Sequence, residues 1–170
     1  MSSQDIHEDE LFMENDDEIQ ENKFLMCRIG EEDYGIDIRH VTDIIELQKI
    51  TEVPDMPNYV KGVINLRGQV IPIIDLRLRF NMERREYDDR TVITVVKIDD
   101  LSIGFIVDTA TEVQEIPAGD IEEAPTFRSE EEQNKFVSGL GKIGEDVKII
   151  LDVSRLVVHD ELMAVKESLT

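Results

Sequence analysis

The residues that could do chemistry in this chain are few, and most are carboxylates. Phe105-Ile-Val-Asp108-Thr-Ala110 has two hydrophobic residues, then Asp, Thr and a small residue. That order surrounds a carboxylate able to activate water when it shares a proton with a twin. Asp75 and Asp152 end two similar apolar runs, Pro72-Ile-Ile-Asp75 and Lys148-Ile-Ile-Leu-Asp152, and could be imagined as a carboxylate pair, but read better as structural aspartates at strand ends. The single cysteine, Cys27, lies inside Phe24-Leu-Met-Cys-Arg-Ile29, so it reads as a buried strand thiol. His7, His40 and His159 have no Ser or Cys partner that their spacing defends, and one Cys with three scattered His gives no zinc spacing. No metal or cofactor is expected. Arg67, in Asn65-Leu66-Arg67-Gly68, places a guanidinium fork at a hairpin turn, where it can clamp a carboxylate or backbone carbonyls.

Composition narrows the function classes. The 170 residues carry 18 Lys and Arg against 39 Asp and Glu, a formal net charge of -21. Such a chain repels phosphate backbones and anionic membrane surfaces and favours encounter with a basic patch on a protein partner. Hydrophobic residues make up 41%, aromatics only 5% and Trp is absent, so the core must be aliphatic, and its density in Val, Ile and Leu favours strands. The start lacks the basic and apolar regions of a secretion signal, and no segment approaches the ~20 apolar residues of a membrane span. A cytoplasmic protein without direct membrane insertion is expected.

Three regions follow from the patterning. Residues 1–22 hold nine acidic residues and no Lys or Arg, which reads as a disordered acidic tail, with a short interaction helix through Ile6, Leu11, Phe12 and Met13 as the alternative. Residues 23–155 are short apolar runs broken by turn residues. Phe24–Ile29 and Tyr34–Ile38 flank the turn 30–33, Gly62–Leu66 and Gln69–Ile74 flank Arg67-Gly68, and Thr91–Ile98 and Leu101–Val107 flank Asp99-Asp100. Gly139–Ile143 and Val147–Leu151 are the last strand candidates. Pro72 implies an edge position or a bulge for its strand. From Val153 to about Lys166 a C-terminal helix is expected, with 156–170 as helix and tail. An internal repeat organises the whole. Gly35–Glu46 aligns without gaps on Gly104–Glu115, and Tyr59-Val-Lys-Gly62 on Phe136-Val-Ser-Gly139. The second register carries Leu66 onto Ile143, Val70 onto Val147 and Asp75 onto Asp152. The offset grows from 69 to 77, so eight residues are inserted within the acidic stretch 120–133, which reads as a solvated loop. Two lobes of similar topology are implied, Gly104–Leu151 forming the second, and closed barrels are a common way to remove sheet edges in small all-β units.

The stretch from Tyr34 to Phe80, with its Gly35-Ile-Asp37 strand, Val41-Thr-Asp-Ile44, Lys61-Gly62-Val-Ile-Asn-Leu-Arg67-Gly68 and Pro72-Ile-Ile-Asp-Leu-Arg77, resembles the first half of CheW domains, and Gly104 to Leu151 looks like their second half. The resemblance covers residues 23 to 155. It implies an all-β fold of two small five-stranded SH3-like barrels with a groove between them and a short C-terminal helix. It also implies a non-enzymatic adaptor that joins the cytoplasmic tips of methyl-accepting chemoreceptors to the regulatory domain of the histidine kinase CheA, at membrane-associated receptor arrays in bacterial chemotaxis. On that resemblance Val41, Asp43, Ile44, Lys61, Gly62 and Arg67 form the receptor- and kinase-binding set. Arg67 would be the family's coupling arginine and Asp43 the acid that pairs with it. Asp is one methylene shorter than the Glu often found there, which puts a direct pair in question. Val41 and Ile44 would line a groove for a receptor helix tip, against plain core burial. Gly62 and Gly68 could instead be backbone necessities of bends. Two rivals stand beside this reading. A retroviral-type aspartic protease would need Asp108 and a twin, yet Asp108 falls in the repeat on Arg39, and Asp108→Asn would abolish protease activity but leave an adaptor's coupling largely intact. A generic interaction module outside chemotaxis would reuse the same fold.

Overall fold

The computed structural model describes residues 21–123 and 136–157. Residues 1–20 of the expected acidic tail, most of the insertion and the part of the expected C-terminal helix beyond Val157 lie outside the described residues. The described chain is almost all strand. β1 (Lys23–Ile29) and β2 (Glu32–Asp37) form a hairpin, followed by a single 3-10 turn at Ile38–His40 and β3 (Val41–Glu46). β4 (Val60–Leu66) and β5 (Gln69–Asp75) form the second hairpin, closed by the four-residue α1 (Leu76–Arg79). β6 (Val92–Ile98) and β7 (Leu101–Val107) form the third, then β8 (Thr109–Glu115), the short β9 (Ile121–Glu123), the hairpin β10 (Val137–Ile143) and β11 (Asp146–Leu151), and α2 (Val153–Leu156). All four hairpins expected from the sequence are present. The helix expected from Val153 to about Lys166 starts at that residue, with Asp152 as its cap, but its first segment ends after one turn at Leu156, because Val157 is extended.

The strands make two sheets, β8-β1-β2-β11-β10-β9 and β3-β6-β7-β5-β4. The two-lobed, all-β architecture is as expected, with one addition and one correction. The first sheet has a sixth strand, β9, paired through Glu123 with Gly139 just before the inserted segment. The lobes are not the two halves of the chain. Each sheet takes one hairpin from one repeat and the rest of its strands from the other: β3, β4 and β5 pair with β6 and β7, whereas β8, β9, β10 and β11 join β1 and β2. The strand after each central hairpin crosses to the other lobe, so Gly104–Leu151 is not one lobe. The repeat is nonetheless kept atom by atom. The Asp75 amide donates to the Tyr59 carbonyl and the Asp152 amide to that of Phe136, each at 2.8 Å.

Strand alternation divides the core in three. Ile64, Ile71, Ile73, Ile93, Val95 and Ile106 fill the inside of the second lobe, and Phe24, Met26, Ile116 and Ile150 the inside of the first. The opposite faces of the same strands meet between the lobes. There Leu25, Cys27, Ile36, Val63, Val96, Ile103, Phe105 and Phe136 belong to a cluster of eighteen buried residues. The larger part of the apolar surface is thus buried between lobes. Cys27 sits there, fully buried, with Sγ 3.9 Å from Thr94 Oγ1. Burial pushes its thiol up to about 12 despite that contact, so it is inert. Pro72 is not on an edge strand, since β5 lies between β7 and β4. Its parallel pairing with β7 begins only at Ile73, so the missing N–H falls where β5 still has one neighbour, opposite a bulged β4.

Polar groups tie the seam. Asp108 receives a bidentate pair of bonds from Arg77, Nε to Oδ1 at 2.8 Å and Nη2 to Oδ2 at 2.7 Å. It also accepts from the Gly30 amide at 2.8 Å and from Arg85 Nη1 at 3.2 Å. Burial alone would raise its pKa, but the Arg77 and Gly30 hydrogen bonds and the two guanidinium charges outweigh this and hold it below the usual carboxylate range. Its role is structural, contrary to the free carboxylate that a proton-sharing dyad needs. Asp33 is lowered likewise, chiefly by the Lys148 hydrogen bond at 2.7 Å, which joins β2 to β11.

Because the shared core spans both lobes, Phe105→Ala should cost about 3–5 kcal/mol, and urea unfolding followed by circular dichroism should remain one transition; two resolved transitions would show that the lobes stand alone. Asp108→Asn should cost about 1.5–3 kcal/mol, the range for hydrogen bonds to a charged group, because the Arg77 pair is only partly buried. A carboxylate with a depressed folded pKa stabilises above its unfolded value and loses that contribution as pH falls below about 4. The stability gap between the parent protein and Asp108→Asn should therefore be constant near neutrality and narrow below pH ~4.

Candidate functional site

The β4–β5 connection is a two-residue loop whose geometry fixes where Arg67 points. Leu66 pairs with Gln69, and Arg67 and Gly68 between them both have positive φ, +52° and +84°. This is the type I′ turn that matches strand twist, and it favours Asn or Gly at the position Arg67 holds. The Asn65 side-chain oxygen accepts from the Gly68 amide at 2.9 Å and pins the loop. A residue in the left-handed region without the small side chain favoured there is unusual enough to suggest a surface role.

Arg67 Nη2 reaches Asp43 Oδ2 at 2.9 Å. The shorter acid does span the gap, which corrects the doubt raised by its length. β3 and β4 are the two edges of the second sheet, so the pair joins the end of the β4–β5 hairpin to β3 as the sheet curls round. Asp43 is 25% exposed and Arg67 70%. An ion pair this exposed is worth only ~0–1 kcal/mol. Most of the guanidinium remains available to a partner. Beside the pair an open cleft of about 320 Å³ is lined by Thr42, Gln69 and Ser102 and by the apolar Ile71 and Val95.

A bulge in β3 separates its side chains into two groups. Val41 pairs with Val96 and Asp43 with Val95, so Thr42 is an extra residue. Cross-strand partners share a side of the sheet. Val41, opposite Val96, and Ile44, opposite Thr94, therefore lie on the side facing the other lobe, and Asp43 and Ile45 on the side facing their own lobe. Val41 is half-buried against the inter-lobe core, whereas Ile44 is 48% exposed. Core burial accounts for Val41 and not for Ile44.

Lys61 and Gly62 are not brought to this cluster. They sit at the start of β4, six residues from Arg67, roughly 20 Å at ~3.3 Å per residue. The register slips between Val60 and Gly62, which makes Lys61 a bulge residue. Gly62 has φ +141°, and a Cβ there would overlap the Thr51 carbonyl oxygen. Gly62 is thus a backbone necessity, as one of the two sequence readings had it. Asp75 and Asp152 are also structural. Each caps a short helix, Asp75 through the Arg77 amide at 2.9 Å and Asp152 through the Ser154 amide at 3.1 Å, and Asp75 further accepts from Tyr87 Oη at 2.6 Å. His40 ends an exposed turn; His7 and His159 lie outside the described residues. Among the described residues, no group of His, Cys, Asp and Glu could hold a metal, and no helix is long and apolar enough to cross a membrane. Sequence reasoning missed Thr42, Gln69 and Ser102 beside the pair. Only Thr42 carried a signal, its match to Thr111 in the repeat.

Comparison with known proteins agrees with this geometry. The family model for the CheW-like domain matches residues 23–161. The chain is 36% identical over 143 residues to the chemotaxis protein CheW of Klebsiella aerogenes, covering 84% of this chain and 86% of that protein. It is 36% identical over 138 residues to the chemotaxis protein CheW of Helicobacter pylori, with 81% and 82% covered. The crystal structure of the scaffolding protein TtCheW from Thermoanaerobacter tengcongensis superposes with a TM-score of 0.72 at 34% identity, covering 77% of this chain and 88% of that one. With two strand-exchanged β lobes, the arginine-bearing hairpin turn and a domain match over most of its length, this chain belongs to the CheW-like family.

Proposed function

We propose that this protein is a non-enzymatic adaptor that couples chemoreceptors to the histidine kinase CheA. The observation that carries the reading is the exposed Arg67 guanidinium, held by Asp43 at the mouth of the second lobe in a chain of the CheW-like family. The fixed fork is suited to a carboxylate or to backbone carbonyls of a docking helix, and Asp43 leaves its other donors unused by that bond. On the opposite side of β3, Ile44 offers an apolar anchor next to the inter-lobe core, of the kind an amphipathic helix tip uses. Lys61 forms a more distant, charged part of the same proposed surface, which Gly62 supports through the backbone and Val41 through the core.

Absence of catalysis is supported by the engagement of the carboxylates. Asp108 is saturated by Arg77, Arg85 and the Gly30 amide, and Asp75 by helix amides and Tyr87, so neither is placed to share a proton with a twin. The net charge of -21 suits encounter with a basic patch on a protein partner, and on this reading the adaptor works in the cytoplasm at membrane-associated receptor arrays.

In reconstituted receptor arrays, the intact protein should raise CheA autophosphorylation, and Arg67→Ala should abolish most of that rise while shifting the urea midpoint by no more than an exposed pair explains, ~0–1 kcal/mol. An intact protein that binds neither kinase nor receptor would refute the coupling role.

A further inference from the structure

The bulge in β3 decides on which side of the strand the Arg67 partner lies, and one side chain holds it. Without the extra residue, the Val41–Val96 pairing would continue to Thr42 opposite Val95 and Asp43 opposite Thr94. Asp43 would then take the place opposite Thr94 that Ile44 now holds, on the opposite side of β3 from Arg67, because a one-residue slip moves every following side chain to the other face. With the bulge, Asp43 points to the mouth of its own lobe and meets Arg67. Thr42 Oγ1 lies 3.3 Å from the Val95 carbonyl, on the residue that Asp43 opposes. That bond is long for O–H···O, so it biases the bulge and does not lock it.

The repeat supplies an internal comparison. Thr111, the counterpart of Thr42, places Oγ1 3.3 Å from the Met26 carbonyl, and β8 slips by one residue against β1 between Leu25 and Cys27. The same device there presents Glu112, but the matching turn position is Gly144, with φ +59°, where the second lobe has Arg67. The threonine-held bulge therefore belongs to the fold, and only in the second lobe does it aim a carboxylate at a guanidinium.

We infer that Thr42 is a positioning residue for the coupling arginine: its hydroxyl holds the β3 bulge that turns Asp43 toward Arg67. The inference rests on the adaptor reading for its functional consequence and on the strand register for its mechanism. Thr42→Val keeps the shape and removes the bond, Thr42→Ser keeps the bond, and Thr111→Val removes the equivalent bond where no arginine waits. Three readouts apply to each: the urea midpoint, the Arg67 Nε–H resonance, and receptor-dependent CheA activation. Thr42→Val and Thr111→Val should lose similar stability. Only Thr42→Val should move the Arg67 resonance toward its position in Asp43→Ala and raise the half-maximal activating concentration about threefold, the effect of one weak hydrogen bond. Thr42→Ser should restore both. An Arg67 resonance unmoved by Thr42→Val, or moved equally by Thr111→Val, would overturn the inference. If the intact protein fails to activate the kinase, the adaptor reading falls, and the resonance still decides whether Thr42 positions the pair.

Discussion

The apolar contact between the lobes is the constraint on which the remaining structure depends. Each barrel interior is small, and small cores of this size stabilise a domain poorly by themselves. The chain meets that limit by using both faces of its central strands. Phe24 and Met26 fill one lobe while Leu25, Cys27 and Ile29, alternating with them on β1, face the other lobe. β6 does the same with Ile93 and Val95 inward and Val96 outward. Strands buried on both sides read as nearly continuous hydrophobic runs, which is why Val92–Val96 and Ile103–Val107 look mostly apolar in the sequence.

The polar network follows from that seam. A partly buried carboxylate just past the end of β7 needs partners, and it finds them on three separate segments: α1, the β1–β2 turn and the 81–90 loop. The same loop sends the Tyr87 hydroxyl back to Asp75, where burial first and the hydrogen bond second push the phenol upward. Arg79 is enclosed in turn, its guanidinium 4.6 Å from the Tyr59 ring and 4.4 Å from that of Phe136, with Nε donating to the Leu156 carbonyl. These groups hold the rigid frame, whereas the Arg67–Asp43 pair stands at its exposed rim, so recognition can vary there at little cost to stability.

Local signals in the sequence were sufficient for what is local in the structure. Turn residues and alternation gave all four hairpins, and the repeat gave two similar lobes, because a hairpin's register is set by a few neighbouring residues. The exchange of β3 and β8 between lobes was not legible. Their pairing partners lie some fifty to ninety residues away in sequence, and either lobe would bury the same alternating pattern. The reach of Asp43 was misjudged for a related reason. Side-chain length is visible in the sequence, but the bulge that moves the backbone is not. Asp108 shows the opposite case, a residue whose neighbours suggested chemistry and whose surroundings make it an anchor.

The strand exchange has a consequence for the origin of the fold. Each lobe consists of a hairpin from one repeat completed by three or four strands of the other, so one repeat by itself closes no barrel. That is the arrangement of a domain-swapped homodimer whose two chains have become one. The segment from Phe80 to Thr91 is then the fused junction. It bridges the last element of the first repeat and the first strand of the second, and it is tied down through Arg85 and Tyr87. Fusion made the two copies free to diverge, and at the paired turns one carries an arginine where the other carries glycine.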